Sequence, residues 1–294
     1  MTSEQFLSKA SKWIFYSFFF AVVLLQGCSS TDDPLPDGPL LAMELTNEAY
    51  GTDTRQVMDV FLPAGRTLED TPILIYIHGG AWIDGSKEEF LEFRTAFEQA
   101  LPDFAFVAIN YRLYNFISNT NGFPTQENDV IAAVEHVLEN QLEWNISDEI
   151  YLAGASAGGH LALLHAYKHQ EIGNIQAVMA LFPPTELESL HSFNFVTQSG
   201  LTALLGGTPE SNPDAYFQSS PVNFVSSSAV PSIFFHGTED TVVPISQSDL
   251  LAAELTGAGV NFQYEIIEGQ GHGFTPATYA TVISDIANFI EALR

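Results

Sequence analysis

"EIYLAGASAGGH", residues 149–160, joins an apolar run to a cluster of small residues. Glu149 to Gly154 reads as a strand buried on both faces, and a helical pattern with 3.6-residue spacing begins at Ala157. Between them Gly154, Ala155, Ser156, Ala157, Gly158 and Gly159 permit a turn so sharp that larger neighbours would collide. Such a turn lifts the Ser156 hydroxyl off the strand end and aims the first amides of the helix at whatever sits above it. A purely structural turn of small residues has the same appearance, so the reading depends on the rest of the chain.

Working outward, Gln56 to Pro63 has strand-like character, and apolar runs of the same kind recur at Pro72 to Gly80, Phe104 to Tyr111, Ile175 to Phe182, Pro231 to Gly237 and Phe262 to Gly269. Helical spacing fills 87–100, 126–141, 157–169, 246–258 and 276–292, with Val130, Val134, Val137 and Leu138 on one face as an example. This alternation predicts an α/β domain over 46–294, a mostly parallel sheet with helices on both faces. Residues 183–230, rich in proline and serine and weakly periodic, are expected to form a small cap-like insertion over the carboxyl ends of the strands. No internal repeat is present.

A serine hydroxyl becomes a nucleophile only when a base takes its proton. His272 in "EGQGHGF" follows the last predicted strand and is the candidate base. Asp240 in "FFHGTEDTVVP" follows the preceding strand and is the candidate that orients it, with Glu239 as second choice. Serine, aspartate and histidine thus come in the chain order of α/β-hydrolases. In "HGGAW" (His78 to Trp82) the backbone amides of Gly79 and Gly80 are placed to join that of Ala157 in binding an oxyanion. Trp82 reads equally as a pocket wall or as packing, and His78 as a residue that orders its loop.

With these residues in view, the chain resembles α/β-hydrolase esterases of the group that includes bacterial feruloyl and acetyl esterases, arylformamidases and, more distantly, hormone-sensitive-lipase-like carboxylesterases. The resemblance spans roughly residues 50–294 and is carried by "HGGAW", "NYRL" (110–113), "GASAGGH" and "HGTEDTVVPISQS" with "GHGF". Ala81 replaces the third glycine of a lipase-type HGGG, and Trp82 after it places the chain nearer the HGGxW subgroup. The resemblance implies a Ser156, Asp240, His272 triad, an oxyanion site at the HGG segment, no metal and no cofactor. It further implies hydrolysis of carboxylic esters through an acyl-enzyme; with the envelope address read below, acetyl or feruloyl esters of polysaccharides are the expected substrates. An amidase or peptidase of the same fold, arylformamidase-like or prolyl-oligopeptidase-like, is one competing reading, and a non-catalytic surface-binding lipoprotein is another. The complete triad and HGG set argue against the last.

Lys9 and Lys12 precede "WIFYSFFFAVVLL", an apolar stretch that suits a signal peptide and falls short of the ~20 residues a membrane span needs. "LLQGC", Leu24 to Cys28, resembles a bacterial lipobox with Gln26 where a smaller residue is usual. Residues 1–27 are therefore expected to be a signal peptide, Cys28 a lipidated residue, and 28–45 a tether that Pro34, Pro36 and Pro39 keep extended. "CSSTDD" is similar to the segment behind the anchor of surface-exported lipoproteins in Bacteroidetes-type bacteria. A cell-envelope location follows, in the outer membrane and exposed at the surface. An ordinary buried cysteine is the alternative for Cys28. It is the single cysteine, so a lipidated Cys28 leaves no thiol for disulfides, thiolate catalysis or zinc.

Nine Lys and Arg stand against 36 Asp and Glu, a net charge of −27. Such a surface repels nucleic acid and anionic lipid headgroups, and a saline habitat would screen its self-repulsion. His160, His165 and His169 lack an H-E-x-x-H pattern and read as a solvated helical face, not a metal site. Asp129 reads as a capping or structural acid. The sequence leaves oligomeric state open.

Overall fold

A strand whose every residue is apolar must be covered on both faces, and Ile73–Ile77 is buried throughout. The computed structural model, which describes residues 39–294, shows how. Ile73, Ile75 and Ile77 face one core with Val130, Val134, Leu161 and Leu251. Leu74 and Tyr76 face a second core with Phe97, Ile283, Ile286 and Phe289. The two-residue period of the strand thus divides one apolar run between two helical layers.

In chain order the elements are β1 (Met43–Ala49), β2 (Val57–Leu62), β3 (Ile73–Ile77), a 3-10 turn (Lys87–Glu92), α1 (Arg94–Ala100), β4 (Ala105–Ile109), α2 (Thr125–Glu139) and α3 (Gln141–Trp144). Then come β5 (Glu149–Ala155), α4 (Ala157–Lys168), β6 (Asn174–Leu181), α5 (Leu187–His191), α6 (Phe195–Leu204), α7 (Pro213–Gln218) and a 3-10 turn (Pro221–Phe224). β7 (Ser232–Gly237), α8 (Ser246–Ala258), β8 (Phe262–Ile267) and α9 (Pro276–Leu293) complete the chain. The sheet order is β1-β2-β4-β3-β5-β6-β7-β8, antiparallel only at the β1/β2 and β2/β4 pairs. The expected α/β class, mostly parallel with helices on both faces, is the one observed.

β3 lies between β4 and β5, so the chain leaves it toward one side and returns on the other. At that reversal the carboxyl ends of β3 and β5 open a crevice. The HGGAW loop follows β3 and Ser156 follows β5, which brings both to the crevice.

Two sequence expectations change. The tether was expected to run to residue 45, yet Met43, Glu44 and Leu45 already pair with Leu62, Phe61 and Val60. β1 is an edge strand with mostly exposed side chains, held by backbone bonds, so its sequence carries no apolar alternation. The sequence pattern predicts a solvated face for the α4 histidines, yet His160 and His165 are buried. The 183–230 insertion covers α4: Ser219 O accepts a bond from His160 Nε2 (2.7 Å), and Gln218 O accepts one from Lys168 (2.7 Å). The expected signal peptide and Cys28 lie outside the described residues.

Candidate active site

Ser156 stands between β5 and α4 with φ 53° and ψ −119°, a conformation that costs a non-glycine residue about 1–3 kcal/mol. The turn closes only because its neighbours lack side chains. A β-carbon on Gly158 would overlap the Ile77 carbonyl, and one on Gly154 would overlap Gly158. The Ser156 amide donates to Leu181 O (2.8 Å) and pins the turn to the next strand.

His272 reaches over from the loop after β8, its Nε2 at 2.9 Å from Ser156 Oγ and its Nδ1 at 2.7 Å from Asp240 Oδ2. A carboxylate only accepts, so Nδ1 carries the proton and Nε2 is free to accept from the serine. Asp240 follows β7, and its other oxygen accepts the amides of Val242 (2.8 Å) and Val243 (2.9 Å). Burial alone would raise this carboxyl; hydrogen bonds from His236, His272 and the Val243 amide outweigh it and hold Asp240 well below the usual carboxylate range. The weaker sequence candidate, Glu239, is exposed.

The sequence reading did not single out His236, at the end of β7. Its Nε2 lies 2.9 Å from Val243 O and 3.4 Å from Asp240 Oδ2, and its Nδ1 2.7 Å from Ser248 Oγ. Phe182, also missed, packs against the His272 ring at 4.6 Å between centroids. The only trace of either in the sequence is position: each ends a core strand beside a candidate loop.

"NYRL" braces the HGGAW loop. Asn110 Oδ1 accepts the Lys87 amide (2.7 Å), Tyr111 stacks on His78 at 4.2 Å and donates to His78 O (3.1 Å), and Arg112 forks onto Asp129. Asp129 also accepts the Arg112 amide (2.7 Å) and Gln56 (2.9 Å), so it is a buried structural acid and does not cap α2. Arg55 donates to His78 Nε2 (3.2 Å), which leaves the His78 proton on Nδ1, facing Gly79 O at 2.7 Å. Burial pushes the His78 imidazole down to about 4 and keeps it neutral in this role.

The amide of Gly79 is committed elsewhere: it donates to Glu89 Oε2 (3.3 Å), whose other oxygen accepts the Tyr76 hydroxyl (2.6 Å). This corrects the oxyanion set expected from the sequence. Gly79 stays close to the site, since a β-carbon there would lie 3.6 Å from that of Ser156. The amides of Gly80, Ala81 and Ala157 have no acceptor among the described residues. Gly80 and Ala81 line a cleft with Ser156 and His272, and Ala157 adjoins the serine. Both Gly80 (φ 102°) and Ala81 (φ 51°) sit in left-handed backbone that turns the loop back on itself.

Trp82 serves both roles that the sequence allowed. Its indole donates to His160 Nδ1 (3.3 Å) while its ring lines an apolar cleft of about 540 Å³ with Leu190, Phe195, Leu201, Leu204 and Ser156. Burial pushes His160 down to about 4, consistent with a neutral ring that accepts from Trp82 and donates to Ser219 O. A second cleft, about 440 Å³, opens on the other side of the serine.

The BD-FAE family model matches residues 58–255. Among curated relatives, esterase LipC of Mycobacterium tuberculosis is 24% identical over 76% of this chain and 58% of its own length. Esterase LipQ of the same organism is 28% identical over 86% of this chain and 64% of its own. The chain therefore spans about three-fifths of the length of these relatives. Among solved structures, a truncated carbohydrate esterase from gut microbiota superposes with a TM-score of 0.72 at 24% identity, over 86% of this chain and 96% of the other. An acetyl ester-xyloside bifunctional hydrolase from Caldicellulosiruptor lactoaceticus gives 0.68 at 22% identity, over 87% and 96%. These likenesses, with the sheet order above, establish the α/β-hydrolase fold.

Proposed function

The chain belongs to the BD-FAE family, and from that premise we propose that it is a serine hydrolase of carboxylic esters. The observation that carries the reading is the unbroken hydrogen-bonded path from Asp240 through His272 to Ser156 Oγ, 2.7 and 2.9 Å, at the carboxyl ends of the strands. Ser156 Oγ attacks the ester carbonyl as its proton passes to His272 Nε2. The tetrahedral oxygen is received by the amides of Gly80, Ala81 and Ala157. The imidazolium then protonates the departing alcohol, and a water molecule, deprotonated by the same histidine, releases the acid from the serine.

We further propose an acyl group of phenylpropanoid size, on a carbohydrate alcohol. A cleft of about 540 Å³ walled by Trp82, Phe195, Leu201 and Leu204 is far larger than an acetyl group needs. The carbohydrate esterase among the structural neighbours supports the sugar side of this reading. An envelope location anchored through Cys28 belongs to the same proposal; its support is the "LLQGC" segment.

The test compares p-nitrophenyl acetate through decanoate, methyl ferulate and acetylated xylan with wild type and Ser156→Ala. The expected result is hydrolysis that favours ferulate or longer chains over acetate and vanishes in the variant. Equal rates in the variant would overturn the mechanism, and no hydrolysis by either protein would overturn the activity. Cys28→Ser is expected to release the protein from the membrane fraction; retention would remove the anchor from the proposal.

A further inference from the structure

The cleft on the His272 side of Ser156 differs in chemistry from the one beneath the insertion. Tyr76, Glu89, Glu92, Phe93 and Tyr279 line it, and no Lys or Arg does. Glu89 is the half-buried charge: Oε1 holds the Tyr76 hydroxyl at 2.6 Å, while Oε2 has only the long 3.3 Å contact from the Gly79 amide and keeps capacity to accept. Glu92, one helical turn on, is exposed at the rim.

Which half of an ester enters this cleft is fixed by proton transfer. The general acid must stand beside the departing oxygen, and His272 lines this cleft. Resting on the esterase reading, we propose that this cleft receives the leaving alcohol and that Glu89 selects that alcohol by charge, admitting neutral and cationic alcohols and turning away those that carry a carboxylate. A carboxylate brought near Glu89 on binding meets a like charge in a partly water-excluded space, with no Lys or Arg in the lining to offset it. The acyl group then takes the apolar cleft. Burial pushes the Glu89 carboxyl upward against the bonds from Tyr76 and Gly79, so the filter is read at alkaline pH, where the group is ionised.

The experiment uses the full chain at about pH 8 with three butyrate esters that share an acyl group: of glycerol (neutral), choline (cationic) and glycolate (anionic). For wild type the glycolate ester is expected to be the poorest substrate, mainly through KM. Glu89→Gln keeps an acceptor oxygen for Tyr76 or Gly79 and should raise the glycolate-to-glycerol ratio of kcat/KM about tenfold. Glu89→Asp, which keeps the charge, should leave that ratio near the wild-type value. Glu92→Gln should raise it only about twofold, an effect that about 0.5 M salt removes. A ratio that does not move in Glu89→Gln, or a common loss on all three esters, would overturn the filter and leave Glu89 as a support for the Gly79 turn. Failure of wild type on all three esters would instead overturn the esterase reading on which the filter rests.

Discussion

Two clefts meet at Ser156, and they are built from different materials. One lies beneath α6, about 540 Å³ and walled by Trp82, Leu201 and Leu204. The other lies against the Lys87–Glu92 turn, about 440 Å³, and holds His272, Tyr76 and Glu89. The apolar cleft offers area and no charge; the acidic cleft offers hydrogen-bond acceptors and the proton donor. An ester has two unlike halves, and this difference assigns the acyl half to the first cleft and the alcohol half to the second.

The contrast can be broken most completely at the point the clefts share. Ser156→Ala should lower kcat by at least about 10⁴-fold on every ester, because nucleophile, base and orienting acid act as one unit. Both clefts should still bind, so the variant should retain substrate affinity by calorimetry. Loss of binding along with catalysis would mean that the serine shapes the clefts as well as reacting in them. The contrast is sharpened by filling one cleft alone. Leu201→Trp should lower kcat/KM for decanoate and ferulate esters by roughly 10- to 30-fold while acting little on acetate. A uniform loss across chain lengths would place the acyl group elsewhere.

How much of this was legible follows from which contacts are local. β3 through β7 announce themselves because strands buried on both faces are near-continuous apolar runs, whereas β8, a partly exposed edge strand, shows through its aromatic and β-branched residues. The triad positions were legible for a related reason: each sits just past such a run, where small residues mark the turn. β1 was not, since "MELTNEA" gains its order from pairing with β2 and not from burial. Glu89 was not either. In "KEEFLE" it looks like one solvated charge among several, and only the fold brings the Gly79 amide and Tyr76 hydroxyl to it. The burial of His160 is not legible in α4 because the element that covers it, at Ser219, lies 59 residues downstream, and His165 is tied to Ile172 O where the chain leaves the helix. His236 likewise acquires its role through the return of the chain at Asp240 and Ser248.

The last expected effect falls on stability and not on rate, and concerns the buried histidines that brace the clefts. His78 orders the loop between β3 and the acidic cleft, and His160 ties Trp82 of the apolar cleft to Ser219 of the insertion. Each is held at about 4 by burial against an ordinary value of 6.5, so between these pH values the unfolded chain binds more protons. Their contribution is complete above about pH 6.5 and lost as pH falls through 4, up to roughly 3 kcal/mol for each. The urea midpoint should fall steadily from pH 6.5 to 4.5, and His160→Gln should make that fall shallower. An unchanged slope would mean that His160 titrates normally and does not brace the insertion.

The assignment of ester halves to clefts is tested most directly by a crystal structure of the protein inactivated with a hexyl phosphonate that carries an aryl leaving group. The expected structure has phosphorus bonded to Ser156 Oγ, the hexyl chain beside Leu201 and Leu204, and an unfilled cleft at Glu89 on the His272 side. A hexyl chain lying against Glu89 and Tyr76, or a phosphonate on any residue other than Ser156, would contradict it.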